Sequence, residues 1–223
     1  MPAFHWGDKI RKFFQAPSTM PALVQHPILQ QSFAVIDREF GPHNFSPDAY
    51  AITRRVIHST ADFEYKRLID FSETAIAQGI AALQQRCPIV VDVTMVRQGV
   101  LGMVNRTFQN PVLTAVTAVD AAEPGLTRTE TGLLHCWEQA PEALYVIGNA
   151  PTALLALCDR LSTSPQRPAL VVGAPVGFIA VEEAKGRLAE LDVPQIRVEG
   201  RKGGSPVAAA ILNALLVLAW ERL

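Results

Sequence analysis

The chain has 223 residues, of which 49% are hydrophobic and 18% are charged, and its formal net charge is -1. These proportions predict a folded domain with a large core and exclude a disordered chain or a coiled coil. A pI near 6.5 argues against a general nucleic-acid binder. The longest apolar run, 207–220, is too short to span a bilayer, and residues 1–15 lack the apolar core of a signal peptide. We therefore expect a cytoplasmic protein with no membrane contact.

Residues 1–26 are mixed in character, and we interpret them as an N-terminal extension that packs on the rest of the chain. Residues 27–223 are predicted to form a single domain. Its first helix is predicted over residues 27–40, includes Ser32, and ends before Gly41 and the proline that follows.

His58 lies at the end of the second predicted helix, which has Ser46 as its N-cap and Pro47 at its first position. The helix dipole at that end favours a cation, and the acidic residues Asp62 and Glu64 follow shortly. We therefore expect the pKa of His58 to be raised, which would make it an acid near neutral pH. The alternative is a helix-terminal histidine that bonds the spare carbonyls of the last turn.

The remainder of the chain alternates between short apolar segments and segments with helical spacing. The predicted strands are 88–93, 112–117, 144–147, 170–172 and 196–198. The predicted helices are 72–86, 127–138, 151–161, 181–190 and 206–220. Alternation with short connections indicates parallel strands. The sequence therefore predicts an α/β fold, a single three-layer domain with a mainly parallel central sheet and helices on both faces.

Three turns rich in glycine or proline follow predicted strands, at residues 148–152, 173–177 and 200–205. In a parallel sheet they would lie together at the carboxyl edge, where ligands bind. Glycine permits close approach of the backbone, and the N–H groups of a helix start attract anions. With Arg201 and Lys202 in the last turn, this pattern favours a large ligand with several anionic groups over turns that serve only the fold. The last turn lacks the spacings of both common nucleotide-binding motifs.

Three further residues occupy positions where a ligand could bind. Thr94 and Met95 follow the strand predicted at 88–93. The alternatives are that Thr94 caps a helix and that Met95 packs in the core. Arg128 lies at a predicted helix start, where a cation is unfavourable unless an anion binds there. The alternative for Arg128 is a surface ion pair.

The cysteines and the other histidines do not indicate a metal site. Cys87, Cys136 and Cys158 lack the paired spacings of zinc and redox sites and are expected to be buried, reduced thiols. No histidine has a partner at metal-ligand spacing.

The segment Arg54–Tyr65, with the sequence RRVIHSTADFEY, resembles the motif of the precorrin-8X methylmutase family of cobalamin biosynthesis. Further segments similar to that family, one upstream of this motif and the others downstream, occur in the expected order. They are residues 31–39, 91–96, 127–128, 148–154, 173–178 and 200–205. Several similar segments in series are more specific than one.

The resemblance implies an isomerase that needs no cofactor and moves a methyl group from carbon 11 to carbon 12 of ring C of precorrin-8X or cobalt-precorrin-8. It implies that His58 is the general acid, which protonates the macrocycle near ring C. It also implies that the anionic corrinoid is held by a set of further residues. These are Ser32, Thr94, Met95, Arg128, Asn149, Arg201, Gly203, Gly204 and Ser205.

Members of this family usually form homodimers with sites near the subunit interface, so that Arg54, Arg55 or Arg201 could reach a neighbour's pocket. The residues after His58 are more similar to the cobalt-containing branch of the family, and any cobalt would arrive within the substrate. Two other functions remain as alternatives. One is a non-catalytic tetrapyrrole carrier, and the other is a nucleotide-dependent oxidoreductase, against which the missing fingerprint argues.

Overall fold

The computed structural model describes residues 26–223, and the predicted extension, residues 1–26, lies outside the described residues except for His26. Short apolar segments form the strands, as their sequences predict. The strands are β1 (Ile69–Phe71), β2 (Ile89–Val91), β3 (Val112–Thr114), β4 (Leu144–Ile147), β5 (Leu170–Gly173) and β6 (Gln195–Val198).

These strands form one sheet with the order β1-β6-β5-β4-β2-β3. Strand β1 pairs antiparallel with β6, whereas the other neighbours are parallel. The prediction of a mainly parallel sheet is therefore confirmed. Strand β1 was not predicted, because three residues are too few to show a period of two.

Helices connect the parallel strands and precede the sheet. They are α1 (Pro27–Phe40), α2 (Pro47–Thr60), α3 (Tyr65–Leu68), α4 (Ala75–Gln84), α5 (Thr94–Arg106), α6 (Ala115–Ala118), α7 (Arg128–Gln139), α8 (Pro151–Thr163), α9 (Val181–Ala189) and α10 (Ser205–Trp220). In the described part of the chain, no helix combines the length and the apolar character that crossing a membrane requires.

The core consists of two clusters, one on each face of the sheet. Alternate residues of one strand belong to different clusters: in β4, Val146 faces the first and Tyr145 the second. The first cluster contains α10, which packs against α2, α4 and α5, and the second contains residues of α7, α8 and α9. The predicted three-layer arrangement is therefore confirmed.

Helix α5 is an element for which the sequence analysis made no prediction. Its buried residues, Val96, Val100 and Val104, have helical spacing, but two glycines and several polar residues weaken the pattern. A β-carbon on Gly99 would lie 2.8 Å from that of Ala209 in α10. The glycine that obscures the helical pattern therefore allows the two helices to approach closely.

The prediction of a strand over residues 112–117 was partly wrong. Only residues 112–114 form β3, and the chain then turns into the short helix α6. This turn packs closely against α7 at Gly132. Any larger residue would clash there, since a β-carbon on Gly132 would lie 1.8 Å from the carbonyl oxygen of Ala115. The turn is therefore set by packing against a later part of the chain, which a local pattern does not contain.

Candidate active site at the carboxyl edge of the sheet

The loops after β2 and β4 are joined at the carboxyl edge by the carboxylate of Asp92. Its Oδ2 accepts hydrogen bonds from the backbone N–H groups of Asn149 at 2.6 Å and Ala150 at 2.9 Å. Its Oδ1 accepts the N–H of Val93 at 2.9 Å. Burial raises the pKa of Asp92, and the N–H donors act in the opposite direction. Asp92 therefore fixes the backbone that carries Asn149, while the Asn149 side chain is exposed.

The turn after β6 packs directly against the loop after β5. The N–H of Gly204 donates to the carbonyl oxygen of Ala174 at 2.8 Å. Gly203 has a φ of 154°, and a β-carbon there would lie 2.4 Å from the same oxygen. Gly203 therefore allows the backbone to pack closely against Ala174, within the protein. Ser205 follows as the buried first residue of α10.

His58 lies in the last turn of α2, as predicted, and a salt bridge connects this region to the turn after β6. Helix α2 ends at Thr60, and its C-cap residue Ala61 has a left-handed φ of 54°. The ammonium group of Lys202 lies 2.6 Å from a carboxylate oxygen of Asp62 and 3.0 Å from one of Glu64. The loop after His58 is therefore held at the carboxyl edge of the sheet.

A cavity of about 470 Å³ separates α1 from the end of α2 and contains both Ser32 and His58. The imidazole contacts the edge of the Phe33 ring, with 5.5 Å between the centroids. The hydroxyl of Ser32 donates to the carbonyl oxygen of Ile28 at 2.9 Å, so it bonds its own helix and offers lone pairs to the cavity. Glu39 also lines the cavity.

The expectation that the pKa of His58 is raised is wrong. Burial, and then the guanidinium of Arg55, lower the pKa of His58 below its usual value of 6.5. Neither Asp62 nor Glu64, which both pair with Lys202, offsets this effect. His58 is therefore mainly neutral near pH 7 when no ligand is bound.

Arg55 is a partly buried cation that the sequence analysis named only as a residue that could reach a neighbour. Burial, together with Arg106 and Arg54, lowers the pKa of its guanidinium. Among residues 26–223, no ion pair involves Arg55. By contrast, Arg54 pairs with Asp37 at 3.0 Å. A partly desolvated guanidinium without an acid is suited to bind a carboxylate of a ligand.

Thr94 and Met95 begin α5 at the same edge. The N-cap of α5 is Val93, so the alternative that Thr94 is the cap is wrong. The side chain of Met95 is 67% exposed, which excludes core packing. Thr94 borders a second cavity of about 450 Å³, which also contains Arg97 and extends along β3. Ser32 and Thr94 therefore line different cavities.

Arg128 and Arg201 also lie on the surface near this edge. Arg128 is the first residue of α7, and its Nε donates to the carbonyl oxygen of Val119 at 3.2 Å. The predicted alternative, a surface ion pair, is not observed for Arg128 within residues 26–223. The Nε of Arg201 lies 3.1 Å from Glu182, and its guanidinium is 6.0 Å from the Phe178 ring.

The thiols are free in this structure. Cys136 and Cys158 are buried, as expected, but Cys87 is only partly buried and bonds the carbonyl oxygen of Glu142. Burial raises the pKa of Cys136 to about 11 and that of Cys158 to about 12. Thiols with such pKa values are poor nucleophiles near neutral pH.

Comparison with known proteins gives consistent matches over most of the chain. Residues 27–218 match the model of the family described as Precorrin-8X methylmutase. The chain is 57% identical over 212 residues to Cobalt-precorrin-8 methylmutase of Synechocystis sp., which covers 89% of this chain and 98% of that protein. It is 39% identical over 194 residues to Precorrin-8X methylmutase of Pseudomonas aeruginosa, which covers 84% and 93% respectively.

A similar fold has been solved by crystallography. The structure of precorrin-8X methyl mutase from Thermus thermophilus superposes with a TM-score of 0.80 at 42% sequence identity. The match covers 88% of this chain and 99% of that one.

Proposed function

The chain belongs to the precorrin-8X methylmutase family and is an isomerase of cobalamin biosynthesis, and we propose that its substrate is cobalt-precorrin-8. The reaction moves a methyl group from carbon 11 to carbon 12 of ring C and gives cobyrinate. The name of the Synechocystis relative, at 57% identity, supports the cobalt form over precorrin-8X, which is the substrate named for the relative at 39%. The cobalt belongs to the substrate ring.

His58 is the general acid of this proposal. The observation that carries it is the cavity that the imidazole lines together with Ser32. Arg55, a partly buried arginine with no ion pair among residues 26–223, acts on the imidazole through its charge and lines a neighbouring cavity. A migrating methyl group needs no nucleophile, but a proton on the macrocycle near ring C withdraws electron density from the carbon that receives the methyl group and so favours the shift. A neutral His58 must therefore gain a proton before it can act.

Substrate binding can supply the reason for this proton uptake. The corrinoid carries several acetate and propionate groups at its rim, and one of them would pair with Arg55. A carboxylate at that point would offset the charge of Arg55, which lowers the pKa of His58 in the free protein. The pKa of His58 would then rise in the complex, so that the acid forms where the substrate lies.

The other predicted residues would hold the ring in the reactive orientation. Arg128 and Arg201 offer cations at the carboxyl edge, and Thr94 and Met95 offer an exposed hydroxyl and an exposed apolar side chain. Ser32 shares the cavity of His58. Asn149, Gly203, Gly204 and Ser205 would contribute through the two turns that Asp92 and Ala174 fix.

We also propose that two copies of the chain form the complete site. Phe178 and Ile179, in the loop after β5, are 86% and 87% exposed, and Met95 is exposed at the same edge. Apolar groups in such positions are typical of an interface or of contact with a large ligand. Light scattering gives the mass in solution. Mixing His58→Ala with Arg128→Ala subunits would restore part of the activity if both residues act across one interface.

The visible absorption spectrum tests the activity. The purified protein is mixed with cobalt-precorrin-8 and, separately, with precorrin-8X, and conversion to the corrin product is followed. His58→Ala should retain binding and lose about 100-fold to 10,000-fold in turnover. The matched control is His43→Ala, since His43 stacks on Tyr50 at 4.3 Å and does not line the cavity.

Each outcome of this experiment has a distinct meaning. Faster conversion of precorrin-8X would overturn the assignment of cobalt-precorrin-8. Binding of both compounds without conversion by the wild type would overturn the isomerase and support a carrier. Full turnover by His58→Ala would remove His58 as the acid.

A further inference from the structure

Lys185, on the inner side of α9, is a cation in the protein interior. Its side chain is 1% exposed. The ammonium group donates to the carbonyl oxygens of Gly200 and Lys202, both at 2.7 Å. No carboxylate within residues 26–223 forms an ion pair with Lys185. Burial lowers the pKa of Lys185 to about 8.

Burying an ammonium group costs free energy, and its hydrogen bonds must offset that cost. An apolar residue at this position would avoid the cost but could not bond the two carbonyls. Here both bonds end on the turn after β6, whose glycines have little intrinsic preference for one conformation. Gly200, Gly203 and Gly204 have φ values of 67°, 154° and 113°. Lys185 therefore supplies a restraint that the turn itself lacks.

The turn that Lys185 holds carries the side chain that reaches the His58 region. Between the two bonded carbonyls lies Arg201, and the second carbonyl belongs to Lys202. The ammonium group of Lys202 pairs with Asp62 and Glu64. The N–H of Asp62 in turn bonds the hydroxyl of Thr60, in the last turn of α2, at 3.3 Å.

We propose that Lys185 is a positioning residue for the active-site histidine. By fixing the carbonyls of Gly200 and Lys202, it places the Lys202 side chain where it neutralises Asp62 and holds the end of α2. This role rests on the proposed function of His58 as the acid. Lys185 touches no substrate in this proposal and acts only through the turn and the ion pair.

The test combines turnover with the titration of His58 in the ligand-free protein. In Lys185→Met the turn loses its restraint, Lys202 moves away, and Asp62 and Glu64 become unpaired carboxylates in the loop that follows His58. The pKa of His58, read from its ring resonances by NMR, should therefore rise. Turnover should fall by about 10-fold to 100-fold because the acid is displaced, with a smaller change in KM.

A second variant tests the route. Lys202→Met removes the ion pair but leaves the buried ammonium in place, and it should produce the same rise in the pKa of His58. The double variant should show no further rise, because both changes act through one path. The control is Leu161→Ala, on α8 in the second core cluster, which loses stability but should retain the pKa of His58 and the turnover.

The outcomes distinguish this inference from the proposed function. If the folded Lys185→Met protein keeps both the pKa of His58 and its turnover, the positioning role is wrong. If it does not fold, Lys185→Gln, which keeps a donor for one carbonyl, is measured in its place and the same criteria apply. If the wild type converts no substrate, the proposed function fails, while the NMR titration still decides whether Lys185 controls the surroundings of His58.

Discussion

The backbone N–H of Asn149 donates to the carboxylate of Asp92 at 2.6 Å. This bond joins two loops that lie 57 residues apart in the sequence and next to each other at the carboxyl edge of the sheet. Because the same carboxylate also accepts from Val93 and Ala150, one buried side chain sets the shape of the backbone on which two predicted ligand-binding segments begin.

Asp92→Ala should lower the free energy of unfolding by about 3 kcal/mol, because buried N–H groups lose their acceptor. Urea denaturation monitored by circular dichroism measures this change. Asp159→Asn is the control, since Asp159 is exposed and pairs with Arg187 on the surface, so its loss should have little effect. Equal stability of the two variants would show that the Asp92 network contributes no net stabilisation.

Arg55→Gln should raise the pKa of His58, because a neighbouring positive charge disfavours the imidazolium. Glu39 lines the same cavity as the ring, and Asp62, in the loop that follows His58, is paired with Lys202. If protonated His58 is required, kcat/KM falls as the pH rises through that pKa. The falling limb should therefore move to higher pH in Arg55→Gln.

The same Arg55→Gln variant should also bind substrate more weakly at every pH, since it loses the guanidinium that pairs with a carboxylate. The exposed Arg67 of α3 supplies the control, and Arg67→Gln should leave the pH profile unchanged. A pH profile of Arg55→Gln identical to that of the wild type would show that Arg55 does not control the proton of His58.

Gly203→Ala should destabilise the protein by about 2 kcal/mol or more, because the added carbon would meet the carbonyl oxygens of Ala174 at 2.4 Å and Pro175 at 2.6 Å. Gly186→Ala is the matched substitution, within α9, where a β-carbon meets no atom within 4 Å. It should stabilise by about 0.5 to 1 kcal/mol. Thermal unfolding of both variants measures the contrast, and a stable Gly203→Ala protein would mean that the turn can move.

Arg128→Ala should weaken substrate binding by about 1.5 to 3 kcal/mol if its guanidinium holds a carboxylate. The change is measured as a dissociation constant from the absorption of the bound corrinoid. Arg160→Ala, near the opposite end of α8 from the carboxyl edge, should not change that constant. An unchanged constant for Arg128→Ala as well would place Arg128 outside the site.

The position of His58 and the turns could be predicted because they depend on local sequence. Ser46 and Pro47 define the start of α2, so its length places His58 in the last turn. The apolar strand at β4 and the glycine that follows it show where the carboxyl edge begins. The two cavities depend on how helices pack and could not be predicted from any single segment.

The direction of the pKa shift of His58 could not be predicted for a specific physical reason. Asp62 and Glu64 are close to His58 in the sequence, but the cation that neutralises them, Lys202, is 140 residues from Asp62. The proposed role of Arg55 could not be predicted either, because it depends on the absence of an ion pair, which only the structure of residues 26–223 shows. A pattern in the sequence shows which charges are present, but not which of them are already paired.

The position of α10 at the end of the element order also affects how the chain can fold during synthesis on the ribosome. Strand β6 and helix α10 emerge after every other element described above, yet α10 covers the apolar sides of α2, α4 and α5. Contacts across so much chain form late and slowly. A nascent chain that has reached α8 already carries His58 and both arginines of α2, but it lacks Lys202 and the helix that buries α2. We therefore expect it to be inactive, and its uncovered apolar helices are candidates for chaperone binding until residues 205–220 have left the exit tunnel.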